Sequence, residues 1–487
     1  MTTATVLTRS AFEPEADGRV SRELLAQLDN APTSREHWKI LFISGMGFFT
    51  DAYDLFVIGV VASLVTTEWH IASYQKSLLS SLALLTSAAG AIAFGRIADR
   101  LGRKKIYGYE VLVLAVGAIA SAFAPGIWWL IGMRAILGFG IGGDYPVSAT
   151  IMSEYSNQKH RGRMVSLVFS MQGLGLVVGP LLAILLLSTG MSHDLVWRLL
   201  LAFGAIPALA VFWMRRRLNE TPRFQLAQLE AAEADERARA QGKRTGLQGV
   251  LAEHHFLRWL IGASIAWALF DFVYYGNTIS SPIIVKLVAP HASLITQTTC
   301  ILGIFAVFAL PAYLLAAGTI DRIGRRTMQT GGFVLIGLAF FGLWLIPNAT
   351  TTIAPFVVLF GATYFFSEFG PNTTTFVYPA EIFPVRVRTT SHGIAAAAGK
   401  IGAFAGTYAL TSLLPRIGLS QTSAIVGSIA LLGAVVTITM LPEPKGQSLE
   451  ALTEDQEAGV STSAQVLGLA ESRGTRPPPA RSRPPSP

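Results

Sequence analysis

The chain has 487 residues, of which 51% are hydrophobic and only 14% charged, with a formal net charge of +8. Soluble proteins carry about 25% charged residues, so this chain has too little polar surface to coat a water-soluble globule. A single cysteine, Cys300, excludes an intrachain disulfide framework, and long apolar runs without strict short repeats exclude collagen-like, coiled-coil and disordered classes.

Residues 1–38 hold Glu, Asp and Arg but lack the apolar core of a secretory signal. They read as a cytoplasmic tail, partly helical from Ser21 to Asn30. Runs of about 20 mostly apolar residues, the length that crosses a bilayer, follow near 40–65, 76–98, 106–124, 127–153, 164–189 and 197–214. A polar stretch rich in Arg, Glu, Gln and Ala fills 215–256. Six more apolar runs lie near 257–287, 294–318, 327–347, 353–380, 390–414 and 422–441. The end, Arg473 to Pro487, is rich in Pro, Arg and Ser and reads as disordered. The expectation is an all-α membrane protein with twelve transmembrane helices in two six-helix halves. Its divisions are a tail at 1–38, halves at 39–214 and 257–442, a central cytoplasmic loop at 215–256, and a cytoplasmic tail at 443–487.

Lys and Arg in short loops set orientation. They cluster after segment 2 (Arg100, Arg103, Lys104, Lys105), after segment 4 (Lys159, Arg161, Arg163) and after segment 6 (Arg215, Arg216, Arg217). They cluster again after segment 8 (Arg322, Arg325, Arg326) and segment 10 (Arg386, Arg388). All of these loops fall on one side, the cytoplasm, together with both termini. The positive charge is thereby a topology signal, and nucleic acid is not expected as a partner.

The halves repeat each other. Asp99-Arg-Leu-Gly-Arg-Lys recurs 222 residues later as Asp321-Arg-Ile-Gly-Arg-Arg, and Ser153-Glu154 is echoed by Ala380-Glu381 at an offset of 227. Asp51 precedes Asp271 by 220, and Gln172 precedes Lys400 by 228. Parallel six-helix repeats joined by a loop are the architecture of a major facilitator transporter, whose halves rock about a site near the bilayer midplane. The repeated turn sets a carboxylate beside basic residues and helix ends. Asp99, Arg103, Glu154 and Arg161, with Asp321, Arg325, Glu381 and Arg386, are therefore read as a conformational latch.

An ionisable residue inside a membrane helix costs roughly 2.5–3.5 kcal/mol, so each one marks a candidate function. Segment 1 carries Asp51 and Asp54 on one helical face, and segment 4 carries Asp144 and Tyr145 after a run of glycines. Segment 7 carries Trp267, Asp271 and Tyr275 at i, i+4, i+8; segment 10 carries Glu368 and Asn372; segment 11 carries Lys400. Several acids face one deep lysine, so pairing cannot satisfy all of them and some must hold or exchange protons. Lys400 supplies a positive centre for an anion, and Tyr145, Gln172, Trp267, Tyr275 and Asn372 supply hydrogen-bond donors. A carboxylate beside an anion repels it unless a proton is shared. Asp271 with Lys400 therefore favours a protonated oxyanion such as phosphate over sulfate, with an organic acid still open.

On these residues the chain resembles the phosphate:proton symporter family of the major facilitator superfamily, which includes fungal and plant high-affinity phosphate transporters. The resemblance rests on GFFTDAYDLF (47–56), GRIADRLGRKK (95–105), GFGIGGDYPVSATIMSE (138–154) and MQGLG (171–175). It continues with WALFDFVYYGN (267–277), FGPNTTTFVYPAEIFPVRVRTTSHG (369–393) and GKIGAF (399–404). It implies phosphate ligands at Tyr145, Gln172, Trp267, Asp271, Tyr275 and Asn372, with Lys400 neutralising the substrate and coupled to the proton path. It implies a proton relay of Asp51 or Asp54, Asp51 favoured, with Asp144. Glu368 departs from the neutral amide expected there, and Ala397 stands where serine is common in relatives.

The reading is a proton-coupled importer of inorganic phosphate, without cofactor or metal, working as a monomer. Its expected location is a bacterial inner membrane. The alternatives are a carrier of a sugar or small organic anion, and a phosphate-sensing receptor. No metal-ligand spacing, nucleophile elbow or phosphate loop points to an enzyme.

Overall fold

In the computed structural model the described residues are 18–228 and 246–449. The Pro/Arg-rich end expected to be disordered, the middle of the central loop and the first residues of the tail lie outside them. The regular structure of the described residues is all helical, with no strand among them. Before the polar loop come α1 (Gly18–Asn30), α2 (Arg35–Trp69), α3 (Ser73–Leu101), α4 (Arg103–Ile106), α5 (Tyr109–Ala122), α6 (Ile127–Tyr155), α7 (Arg161–Ser188), α8 (His193–Phe203) and α9 (Ala205–Arg216). After it come α10 (Gly246–Leu251), α11 (His254–Ile279), α12 (Ser281–Val288), α13 (Leu294–Ile304), α14 (Leu310–Ile323), α15 (Arg325–Leu345), α16 (Ile353–Ser367), α17 (Thr373–Ile382) and α18 (Arg388–Met440).

Among the described residues, ten helical stretches are long and apolar enough to cross a membrane. One of them, α18, runs 53 residues but turns at Gly418 (φ 80°, ψ 171°), three residues after Pro415. Its two legs correspond to the last two apolar runs of the sequence. The 29-residue α6 is also of crossing length, but its glycines together with Asp144 and Tyr145 dilute its hydropathy. Counting the legs separately and including α6 gives twelve passages among the described residues. Short π-helical turns interrupt two of them, at Phe305–Ala309 and at Glu368–Asn372, the second around Gly370 and Pro371. Proline has no N–H to donate and displaces the preceding turn, which opens the helix there.

Within the first half α2 packs on α7 and α3 on α6; within the second, α11 and α15 pack on α18. The halves meet along α3 with α18 and along α7 with α13 and α14. Large apolar side chains such as Ile206, Trp213, Val307 and Leu345 face outward, as a hydrocarbon surround requires, while most of the polar side chains described below are buried inside the protein.

The repeated Asp-Arg-x-Gly turn is the same structure in both halves. Gly102 (φ 98°) and Gly324 (φ 100°) adopt positive φ, which favours glycine. A Cβ at either one would also collide with a carboxylate, Glu220 at the first and Glu443 at the second. Glu220 caps the backbone N–H of Lys104 at 3.1 Å, and Glu443 caps those of Arg325 and Arg326 at 3.0 and 2.9 Å. Burial pushes the Glu220 carboxyl above its ordinary range, against the backbone N–H groups that favour its ionised form.

Both ends of the described residues contribute to this basic face. The beginning of the C-terminal tail folds back, with Lys445 Nζ donating to Arg322 O at 2.6 Å and Gln158 donating to Gly446 O at 2.7 Å. The N-terminal helix α1 is docked, because Asp29 meets Arg223 at 2.5 Å and Arg161 at 3.4 Å.

Candidate functional site

Lys400, on α18, is buried to 1% exposure and anchors the centre of the molecule. Its Nζ donates to Asp271 Oδ2 at 3.2 Å and to the Tyr275 hydroxyl at 2.8 Å, both from α11. The ammonium also lies over the rings of Tyr145 (4.2 Å) and Tyr275 (4.3 Å), so cation–π attraction adds to the ion pair. The two phenol oxygens are 3.1 Å apart and span the halves. Trp267, one turn before Asp271, sets its ring 6.2 Å from that of Tyr145.

Gln172 and Asn372 join this centre through a residue that sequence reasoning missed. Tyr313, on α14, donates to Gln172 Oε1 at 3.2 Å and accepts from Asn372 Nδ2 at 2.8 Å. Asn372 also donates to Glu368. Phe169 ties the two groups together, 6.3 Å from Tyr145 and 6.2 Å from Tyr313, and stacks on Phe376 at 4.5 Å. All seven proposed substrate ligands thus fall in one region between the halves. They combine one cation, one carboxylate, two phenols, two amides and an indole.

The acids of the first half divide. Asp144 is held by Arg215, with contacts of 2.7 and 3.0 Å, and Arg215 also meets Glu110 at 2.8 Å. Ser148 donates to Asp144 Oδ1 at 2.5 Å. This corrects two readings. Arg215 is the buried end of α9 and not a loop residue, and Lys400 is not the sole deep cation, since Arg134 is buried as well and donates to Asp54 O at 2.8 Å. Both oxygens of Asp51 and both of Asp54 are buried without a hydrogen-bond partner. Asp51 faces Asp144, Arg215, Asp54 and Lys400, whereas the Asp54 carboxyl packs against Gly204.

Gly47 makes the Asp144–Arg215 pair possible, because a Cβ there would overlap Asp144 Oδ2 and Arg215 Nη2. Gly47→Ala is therefore expected to displace the pair and to lower stability by about 1–3 kcal/mol, the cost of adding a methyl group to a close-packed interior. Thermal unfolding of the purified variant checks this, and an unchanged midpoint would contradict it.

The latch residues gather on the basic face. Glu154 meets Arg103 at 3.1 Å and Arg388 at 3.3 Å, and accepts from Thr221. Arg103 also meets Asp99 at 3.1 Å and donates to Val385 O in the other half at 2.8 Å. The second half repeats this, with Arg325 meeting Glu381 at 2.7 Å and Asp321 at 2.8 Å. Each half also caps a helix of the other. Asp99 accepts from the N–H of Thr390 at 2.6 Å and of Thr389 at 3.3 Å, and Asp321 accepts from the N–H of Arg163 at 2.9 Å. Arg388 stands beside Glu154, and Arg386 lies exposed in the preceding turn. Arg161 turns instead to Asp29 and to Gln447 O.

Among the unassigned residues, Glu110 and Arg134 sit within apolar runs, where an intramembrane charge is itself a signal. Arg215 is hidden in an arginine triplet, and nothing in sequence singles out Tyr313.

Residues 39–455 match the sugar (and other) transporter family. The chain is 34% identical to a probable inorganic phosphate transporter 1-6 of Arabidopsis thaliana, covering 89% of this chain and 96% of that protein. It is 33% identical to inorganic phosphate transporter 1-6 of Oryza sativa subsp. japonica, covering 90% and 96%. Its fold matches that of the major facilitator superfamily proton:xylose symporter XylE bound to 6-bromo-6-deoxy-D-glucose. The TM-score is 0.74 at 18% identity, covering 86% of this chain and 98% of that one.

Proposed function

Because the chain belongs to the sugar (and other) transporter family of the major facilitator superfamily, we propose that it imports inorganic phosphate together with protons. It does so by exposing the Lys400 centre alternately to the two sides of a membrane. The observation that carries this reading is a buried lysine whose partners are an aspartate and a phenol, encircled by amide, indole and hydroxyl groups. The same two chemistries, a cation for the anion and a carboxylate for its acidic hydrogen, suit a protonated oxyanion. The phosphate transporters of Arabidopsis and rice support the substrate.

In this reading phosphate takes Lys400 away from Asp271, and Asp271 keeps a proton shared with the bound anion. Asp51, unpartnered and facing both Lys400 and the Asp144–Arg215 pair, is the better placed proton carrier of the α2 acids. Asp144 is tied to Arg215 and Ser148. The basic loops and both termini lie in the cytoplasm by the positive-inside rule, so the latched face is the cytoplasmic one. The named relatives are plant proteins, which lends no support to a bacterial inner membrane. The sugar alternative has XylE for its fold, but a neutral sugar leaves Lys400 without a charge partner once Asp271 takes a proton.

The test is uptake of labelled phosphate into proteoliposomes with and without an inward proton gradient. The gradient is expected to drive accumulation, arsenate to compete and sulfate not to. Equal uptake with and without the gradient refutes coupling. Competition by sulfate as strong as that by arsenate refutes the shared proton at Asp271.

A further inference from the structure

Glu368 is fully buried in the π-helical turn between α16 and α17, in the second half of the protein. Its Oε2 accepts from Asn372, and its Oε1 has no hydrogen-bond partner. The groups that face it from the packed elements are the hydroxyls of Tyr274 on α11 and Tyr313 on α14, together with Asn372 and Tyr364 on its own segment. The neighbouring α15 offers the backbone around Gly332 and Met328, and its Gln329 turns to Thr374. None of these groups is a cation. An acid so placed can lose its charge only by holding a proton, in contrast to Asp144 and Asp271, which are neutralised by Arg215 and Lys400.

The π turn connects this acid to the interface. From Asn372 the chain of hydrogen bonds passes to Tyr313 and then to Gln172 of the first half. Tyr313 has one proton to donate and two acceptors within its surroundings, Gln172 and the Glu368 carboxylate. An ionised Glu368 competes for that proton. A protonated Glu368 leaves it to Gln172, and the Tyr313–Gln172 bond holds α14 to α7 across the seam.

The geometry points to Glu368 as an additional proton-carrying residue, whose protonation makes the Tyr313–Gln172 bond between the halves and whose ionisation releases it. Glu368 takes its proton from the outside and gives it up to the cytoplasm in each cycle. The protein accordingly moves one more proton per phosphate than it would with a neutral residue at this position. This rests on the proton-symport reading above.

The experiment measures the phosphate accumulation ratio in proteoliposomes over a series of imposed pH gradients, whose slope reads protons per phosphate. Glu368→Gln is expected to lower the slope by one proton, and Glu368→Asp to keep it. A Glu368→Gln slope equal to wild type overturns the proposal while leaving symport intact. A flat wild-type slope overturns symport and this proposal with it. Where Glu368→Gln does not reach the membrane, Tyr313→Phe carries the test with Glu368 in place. Severing the link is expected to raise proton entry without phosphate, and leak equal to wild type overturns the proposal.

Discussion

Lys400→Ala is expected to abolish phosphate uptake while the protein still inserts. The ammonium is the only charge among the proposed ligands that attracts the anion, and it is desolvated on all sides by Asp271, Tyr275 and the two phenol rings. Losing a buried charge partner costs about 3–5 kcal/mol, so apparent affinity should fall by roughly 100-fold or more. The same change strands Asp271 in the interior, so a lower thermal midpoint accompanies the loss. Combining Lys400→Ala with Asp271→Asn removes both charges and is expected to restore the midpoint but not transport. Phosphate titration and thermal unfolding in detergent measure the two effects separately. Unchanged affinity in Lys400→Ala would remove the main reason for an anionic substrate.

Glu154→Gln is expected to open the basic face. This one carboxylate receives Arg103, Thr221 and Arg388, the last from the other half. Without its charge, the closed arrangement keeps the Asp99 and Asp321 caps but loses the link that ties them. Cys300 is the single cysteine, so a Cys300→Ser background permits a reporter at Ser391→Cys, buried at the start of α18. Labelling by a thiol reagent applied to the basic face should speed up about tenfold, equivalent to roughly 1.4 kcal/mol of bias between the two states. An unaltered rate would mean that the cluster holds the fold and not the gate.

Much of this architecture is legible in the chain because membrane helices announce themselves by length and hydropathy, and because the halves share their turn. Asp99 and Asp321 are recognisable as a pair before any coordinates are known. Their role as caps is not, because the N–H groups they accept from belong to the opposite half and no local pattern marks a helix start for a distant carboxylate. The same limit explains Arg215. Read along the chain, it is one of three basic residues at a loop; in the fold, α9 carries it inward to Asp144 and Glu110. Asp51, Asp271 and Lys400 were visible because a charge in an apolar run is costly and therefore informative. Tyr313 escaped because a tyrosine there costs little, and only its position between Gln172 and Asn372 makes it matter.

The exchanged caps also bear on how the protein is made. The N–H of Arg163 finds its acceptor 158 residues later, and Asp99 waits for a donor 291 residues downstream. At roughly 5–20 residues per second of synthesis, these delays are on the order of 10–60 s. The first half must therefore leave the ribosome with its basic-face helix ends uncapped, dependent on water or a chaperone. The seam closes only when the start of α18 has emerged, so a closed seam reports that synthesis has passed Thr390.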